Sequence, residues 1–156
     1  MDWLSILKDS EKNKNDKLEA VGYIRDILDY GDEPDDKAIE IIDNLAVQAT
    51  LQDDNDVKES ILDAMLEGSK APEVEKSINL NPIINHLNEF NDECLSYILS
   101  MLGNSGNVKY KTIIESYKDN TQLEEDVEEA LSELDYRIKK IKKGTLLSDW
   151  RRIVKP

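Results

Sequence analysis

Carboxylates dominate the side chains that could do chemistry in this 156-residue sequence, with 34 Asp and Glu against one His and one Cys. A zinc site needs three or four converging ligands, so any such site here would be almost wholly carboxylate. His86 lies beside Leu87 on a predicted helix and is interpreted as a packed or surface residue. Cys94 falls at a predicted core position, which favours an inert buried thiol over a reactive one. We therefore expect no metal and no cofactor.

Two acidic runs deserve comparison with known chemical sites. The run LQDDNDVKE, from Leu51 to Glu59, lacks the Gly and the distal Glu that a calcium-binding EF-hand needs. Helix capping explains this run and GDEPDD better, since Asp accepts hydrogen bonds from free N–H groups at a helix start. The sequence contains no Gly-rich phosphate loop, HExxH or nucleophile elbow. Carboxylates on solvated helices also lack the apolar pocket that acid catalysis needs. The prediction is that the protein is not an enzyme.

Charge is distributed unevenly along the chain, whose formal net charge is -14. From Arg137 onward there are eight Lys or Arg and one Asp, so the first 136 residues hold 12 basic and 33 acidic residues, a net of -21. Such a body repels nucleic acid and anionic membranes and attracts basic partners.

The basic C-terminal segment IKKIKKGTLLSDWRRIVKP has two interpretations. Its Lys and Arg residues, with Trp150 to stack on bases, are of the type that contacts phosphates. Alternatively, its apolar residues continue a helical stripe that caps the end of a helical stack. These residues are Ile138, Ile141, Leu146, Leu147, Trp150 and Ile153. The cap is the favoured interpretation, with the basic side chains pairing against the acidic body.

One apolar pattern, with the spacing i, i+3, i+4, i+7 of a helix face, recurs seven times along the chain. The copies are Ala20/Tyr23/Ile24/Ile27, Ala38/Ile41/Ile42/Leu45, Val57/Ser60/Ile61/Ala64, Leu80/Ile83/Ile84/Leu87, Cys94/Tyr97/Ile98/Met101, Tyr110/Ile113/Ile114/Tyr117 and Val127/Ala130/Leu131/Leu134. The starts at Ala20, Val57, Cys94 and Val127 are 37, 37 and 33 residues apart. This period predicts helical hairpins stacked as a solenoid, with WLSILKD as a short first helix and an extra turn near Pro72.

Helix boundaries are predicted from caps and glycines. Acidic or Asn caps are expected to begin helices at Asp35, Asp54 to Asp56, Asn91–Asp92 and Glu124 to Asp126. Helix ends are expected at glycines, namely Gly31, Gly68, Gly103 and Gly106. The helix from 94 to 102 is apolar on nearly all sides, because Leu95, Leu99 and Leu102 add to its repeat face. We expect this helix to be buried; the alternative is an exposed binding hot spot at Leu95 and Leu99.

The segments NPIINHLNEFNDECLSYILSMLGNSGN and VKYKTIIESYKDNTQLEEDVEEALSELDYR resemble consecutive HEAT-type repeats. The resemblance covers about residues 16–137 and lies in an A helix, an Asp- or Asn-marked turn, a B helix of the form V-x-x-A-L-x-x-L and a Gly-marked end. The usual Arg of helix B is missing; Lys58, Leu95 and Glu128 stand there or nearby. The resemblance implies an all-α, HEAT-like α-α superhelix of about four helical hairpins with a C-terminal helical cap. It implies one domain over residues 1–156, with a basic segment from about residue 137.

The outward positions of the B helices carry the predicted partner-binding residues, which are Asp56, Glu59, Asp63, Glu124, Glu125, Glu128, Glu129 and Glu133. Size, acidity and helical-repeat build resemble the immunity proteins of bacterial toxin systems. That resemblance implies binding to a basic, nuclease-type toxin and neutralisation of the toxin by covering its active site. A general HEAT-like adaptor or scaffold is the alternative, and a HEAT-like nucleic-acid-binding protein is disfavoured by the acidic body.

The compartment is inferred from cysteine use and hydropathy. A single cysteine excludes an internal disulfide and favours a reducing cytoplasm. The apolar run near the first residues is too short and too acidic for a signal peptide. No window has the 18 or more apolar residues of a membrane span, so we expect a cytoplasmic protein without membrane contact.

Overall fold

The computed structural model describes residues 2–30 and 33–154, with side chains described as far as Gly144. These ranges contain α1 (Trp3–Lys8), α2 (Lys14–Tyr30), α3 (Asp35–Leu51), α4 (Asn55–Gly68), α5 (Pro72–Glu75), α6 (Asn81–Ile84), α7 (Asp92–Asn104), α8 (Lys111–Glu115) and α9 (Glu124–Val154). Three 3₁₀ turns cover Leu87–Glu89, Val108–Tyr110 and Thr121–Leu123. The described ranges contain no β-strand, which confirms the all-α prediction. No helix in these ranges is long and apolar enough to cross a membrane.

The chain forms two compact units, residues 1–98 and 99–156, and the boundary between them falls inside α7. Two compact units can belong to one domain, so the single domain over residues 1–156 stays a prediction. The arrangement of the helices as a HEAT-like solenoid likewise stays a prediction.

The core of the first unit is built where α4 packs against both α2 and α3. The apolar spacing of each helix turns one face inward, and the fully buried side chains of α3 and α4 include Ile42, Leu45, Ile61, Leu62 and Met65. Burial of each such side chain contributes about 1.5–3 kcal/mol. The short first helix, predicted from WLSILKD, is confirmed. It packs on α2 through buried Leu7 and through Trp3, whose ring stacks on Tyr23 with centroids 4.1 Å apart.

Two of the predicted helix caps are confirmed by hydrogen bonds. The carboxylate of Asp54 accepts from the backbone N–H groups of Asp56 and Val57, at 2.9 and 3.1 Å. The side chain of Asn91 accepts from the N–H of Cys94 at 3.0 Å. The LQDDNDVKE run therefore does cap α4.

The predicted Asp35 cap is wrong. Pro34 occupies the cap position of α3 and makes no side-chain cap bond, while Asp35 and Asp36 lie in the first turn. Carboxylates there favour the helix through its dipole instead of through a cap bond. Gly31, a predicted helix end, lies outside the described residues.

Two predicted A helices are much shorter than the repeat pattern indicates. The helix expected from Leu80 to Leu87 is reduced to the four-residue α6 and a following 3₁₀ turn. Asn residues are frequent in this stretch, and their side chains compete for backbone hydrogen bonds and so favour turns. The helix expected from Tyr110 to Tyr117 is likewise reduced to the five-residue α8 after a 3₁₀ turn. The extra helical turn predicted near Pro72 is confirmed as α5.

Burial of α7 on nearly all sides is confirmed. Its apolar residues are at most 6% exposed, namely Cys94, Leu95, Ile98, Leu99, Met101 and Leu102. The alternative of an exposed hot spot at Leu95 and Leu99 is wrong. Gly103 does not end the helix as predicted; it lies inside α7, which continues to Asn104.

The second unit contains α9, a continuous helix of 31 residues that joins the last predicted B helix to the basic segment. Its first half packs against α8 and against the 3₁₀ turn Thr121–Leu123. The side chains of Val127, Ala130 and Leu134 are buried there. Gly144 does not interrupt it. Further along, Ile138 is half-buried and Ile141 is 57% exposed. The side chains of Leu146, Leu147, Trp150 and Ile153 lie outside the described residues, so the predicted cap is untested there.

Candidate functional site

The eight predicted partner-binding residues fall on two helices, one in each compact unit. Asp56, Glu59 and Asp63 lie on one face of α4 in the first unit. The remaining five lie in the first three turns of α9 in the second unit, and these are Glu124, Glu125, Glu128, Glu129 and Glu133. The two sets are therefore considered as separate surfaces.

The α4 carboxylates take part in contacts within the protein. Asp56 forms an ion pair with Lys14. Asp63 Oδ2 lies 2.7 Å from Arg25 Nη1, and the Asp63 side chain is only 27% exposed. Glu59 is half-buried. Two of the three charges are thus balanced by cations of α2, and these residues join α4 to α2.

The first two turns of α9 present four exposed carboxylates, Glu124, Glu125, Glu128 and Glu129, which we call the α9 acidic cluster. Within the described ranges, none of the four has an ion pair or a side-chain hydrogen bond. Their outward direction follows from the opposite face of the helix, where Val127 and Ala130 are each 3% exposed. Carboxylates also suit a helix N-terminus, because its dipole is positive there.

Glu133 differs from the cluster although it lies on the same helix. It is half-buried, and its Oε1 accepts a hydrogen bond from Arg137 Nε at 2.6 Å. This pair is spaced four residues apart with the acid first, the orientation that best supports a helix. Glu133 is therefore part of the internal structure of α9.

The α9 acidic cluster has a restricted chemistry. Ionised carboxylates only accept hydrogen bonds, so four exposed ones suit Lys and Arg of a partner. Among the described residues, no three His, Cys, Asp or Glu side chains are grouped to hold a metal ion. The cluster is thus suited to electrostatic recognition.

Cys94 and His86 lie in places that match their interpretation from sequence. Cys94 is fully buried, and this burial, together with the negative charge of nearby Glu59, raises the pKa of its thiol from 9.0 to about 11. His86 Nδ1 lies 2.7 Å from the carbonyl oxygen of Pro82, and Nε2 lies 3.9 Å from the Glu89 carboxylate. With its side chain 47% exposed, His86 is a surface residue.

Tyr97, on the same helix, has a raised pKa for related reasons. Burial is the main cause, and the negative charges of Asp63 and Glu59 add to it. The phenol therefore stays protonated and serves in packing.

A buried polar network in the first unit was missed by the sequence analysis. Gln52 Nε2 donates to the carbonyl oxygen of Leu7 at 2.9 Å and to Gln48 Oε1 at 3.2 Å. Gln52 Oε1 accepts from Lys17 Nζ at 2.9 Å. Gln48 and Gln52 are only 4% and 6% exposed. Two amides four residues apart, on the face of α3 that carries Leu45, were the signal available in the sequence.

Lys58 makes a second unpredicted polar contact, near the position where HEAT-type repeats usually have Arg. It is 7% exposed, and its Nζ donates to the carbonyl oxygen of Glu89 at 2.9 Å. The same nitrogen lies 5.2 Å from the centre of the Phe90 ring, within cation–π range. Lys58 therefore joins α4 to the turn that precedes α7.

Comparison with models of known families, with curated proteins and with solved structures finds no significant match to this chain. The class defined by the described residues is that of an all-helical protein. Any functional assignment therefore depends on the geometry described above.

Proposed function

We propose that the protein is a protein-binding module that recognises a basic partner through the α9 acidic cluster. The observation that carries the proposal is that these four carboxylates are exposed and, in the described part of the chain, unpaired. Other carboxylates such as Asp63 already have cationic partners. A patch of uncompensated charge steers and orients an oppositely charged protein during encounter.

The spacing within the cluster supports this proposal. Glu124 and Glu128, and likewise Glu125 and Glu129, are four residues apart, and such like-charged pairs destabilise a helix by about 0.2–0.5 kcal/mol each. A basic partner would relieve this repulsion on binding. The repulsion within these pairs is thus present in the free protein and is reduced in a complex.

Within this class, the specific role proposed is that of an immunity protein with a HEAT-like helical stack. Four carboxylates on one rigid helix would stand in for the phosphates that a nuclease-type toxin binds, and would cover its basic active site. The net charge of -14 supports this role, because long-range attraction speeds capture of a basic toxin. We place such a protein in the cytoplasm, where its target would act.

An adaptor or scaffold is the second candidate, favoured by a separate surface on α2. Tyr23, Ile27 and Tyr30 are 43%, 36% and 84% exposed on this helix. Tyrosine is enriched among the residues that contribute most to protein interfaces. An adaptor would bind through these side chains, and its affinity would depend little on the α9 acidic cluster.

The decisive experiment measures association with a basic partner, beginning with any nuclease domain encoded beside this chain. The test variant replaces Glu124, Glu125, Glu128 and Glu129 with Gln. We expect its association rate to fall about tenfold or more at low salt, and the difference to shrink at high salt as screening increases.

The matched control also replaces four exposed glutamates with Gln, but at scattered positions: Glu11, Glu19, Glu33 and Glu93. It changes the net charge by the same amount and should keep most of the rate. Equal losses in both variants would show that only total charge matters. Salt-independent binding abolished by Tyr30→Ala would instead favour the adaptor.

A further inference from the structure

A cleft in the first unit has features of a small-molecule site. It encloses about 550 Å³ and is lined by residues from the end of α1, the start of α2, the end of α3 and the start of α4. This volume is within the range of about 300–1,000 Å³ that is typical of ligand sites in proteins. The lining includes four lysines, Lys8, Lys12, Lys14 and Lys17.

The balance of charge in this cleft is opposite to that of the acidic body. Lys14 is paired with Asp54, at 3.6 Å, and with Asp56. Lys17 donates to the neutral amide of Gln52 and keeps its full charge. Lys8 and Lys12 have no ion pair within the described ranges. The lining therefore holds four lysines against the two carboxylates of Asp53 and Asp54, a net charge of +2 that attracts an anion.

A hydrogen-bond donor of a largely buried residue also lines the cleft. Gln52 Nε2 must donate to the Leu7 carbonyl, and its second hydrogen points to Gln48 Oε1. Because Gln48 Oε1 accepts this hydrogen bond, the other polar atom of the Gln48 side-chain amide is the nitrogen Nε2. Gln48 is 4% exposed and lines the cleft, and no described residue accepts from its Nε2. Because the described residues contain no buried side-chain nitrogen or oxygen without a partner, this Nε2 is in contact with solvent. An acceptor that enters the cleft can therefore reach this donor.

We propose that this cleft binds a small organic anion with a phosphate or carboxylate head group. The anion would accept from Gln48 Nε2 and lie among the ammonium groups of Lys8, Lys12 and Lys17, while Leu51 and Val57 contact its apolar part. Lysine supplies a compact charge that suits either head group. The proposal is independent of the proposed protein-binding function, because it uses no residue of α9.

Side-chain NMR of Gln48 tests the site directly. Inorganic pyrophosphate and malonate are titrated separately into ¹⁵N-labelled protein at constant ionic strength, and the Gln48 NH₂ signals are followed. We expect saturable shifts with at least one probe. Saturation by pyrophosphate alone identifies a phosphate site, and saturation by malonate alone identifies a carboxylate site.

Three variants locate the binding. Lys8→Met combined with Lys12→Met should weaken binding about tenfold or more, while Lys118→Met, an exposed lysine of the second unit, should leave it unchanged. Gln48→Glu keeps the acceptor for Gln52 and replaces the free donor with a negative charge, so it should abolish binding, which is followed in this variant through the NH₂ signals of Gln52. The proposal is overturned if neither probe gives a saturable shift, or if Lys118→Met weakens binding as much as the lysine pair does.

Discussion

Replacing Gly103 with Ala tests the close contact between α7 and α9 in the second unit. A Cβ atom at this position would lie 2.8 Å from the carbonyl oxygen of Ala130 and 3.0 Å from its Cα. Both are backbone atoms of α9, so no side-chain rotation can relieve the contact. The substitution therefore requires the two helices to move apart.

The expected magnitude is a balance of two opposing effects. In a helix interior, Ala is favoured over Gly by about 0.8–1 kcal/mol. Overpacking a close contact costs about 1–3 kcal/mol, and backbone atoms place this contact near the upper end of that range. Gly103→Ala should thus lower the free energy of unfolding by about 2 kcal/mol.

Gly22 supplies the matched control, since it also lies inside a helix. A Cβ atom at Gly22 would have no neighbour within 4 Å. Only helix propensity then acts, and Gly22→Ala should raise the free energy of unfolding by about 0.5–1 kcal/mol. Urea unfolding followed by circular dichroism at 222 nm measures both variants against the parent protein. If Gly103→Ala stabilises the protein as Gly22→Ala does, the close approach of α7 and α9 is wrong.

The other predictions concern single ionisable groups. Asp63→Asn breaks the pair with Arg25 and should lower the free energy of unfolding by up to about 1 kcal/mol, because the pair is partly exposed. Glu128→Gln should leave the free energy of unfolding unchanged or raise it slightly. If urea unfolding shows equal losses for Asp63→Asn and Glu128→Gln, the distinction between paired and free carboxylates is wrong. The raised pKa of Cys94, about 11, should slow its reaction with a disulfide reagent at pH 8 by about 100-fold relative to urea-unfolded protein; rapid reaction in the folded state would refute its burial. Because the unfolded thiol ionises first, stability should fall as the pH rises from about 9 towards about 11, and Cys94→Ala should remove that part of a pH series of unfolding curves.

Long amphipathic helices were the part of the fold that the sequence predicted well. In α2, α3, α4 and α7, the apolar spacing extends over several turns, and the inward face can be identified without knowledge of the neighbours. At α6 and α8, the same apolar spacing predicted helices longer than those that the structure contains. At α6 the local preferences of Asn and Pro, together with tertiary contacts, determine how many turns form.

The basic segment shows a second limit of prediction from the sequence. A change of composition near Arg137 was interpreted as marking a basic C-terminal segment, yet α9 passes through this position and through Gly144. A single glycine costs a helix only about 1 kcal/mol, which the remaining turns offset. Composition thus identified a change of charge but not a change of structure.

For the candidate site, the sequence identified acidic positions without separating their roles. Lys14 and Asp56 are 42 residues apart in the chain, and Arg25 meets Asp63 from another helix. Such pairing depends on tertiary packing, so Asp56 and Glu128 were equivalent as sequence features. The cleft was missed for the same reason, because its lysines and amides come from α1, the loop that follows it, α2 and the end of α3.

Because α9 is one continuous helix, its acidic and basic residues lie at opposite ends of the same helix. Seven carboxylates lie between Glu124 and Asp135, and Lys139, Lys140, Lys142 and Lys143 follow. Charges centred about 12 residues apart are separated by about 19 Å, more than twice the Debye length of about 8 Å at physiological salt. In dilute salt the helix would align as a dipole in the field of a charged partner, which would favour approach to its acidic end. At physiological salt the two ends act separately, so a partner could meet the acidic end with little repulsion from the basic one.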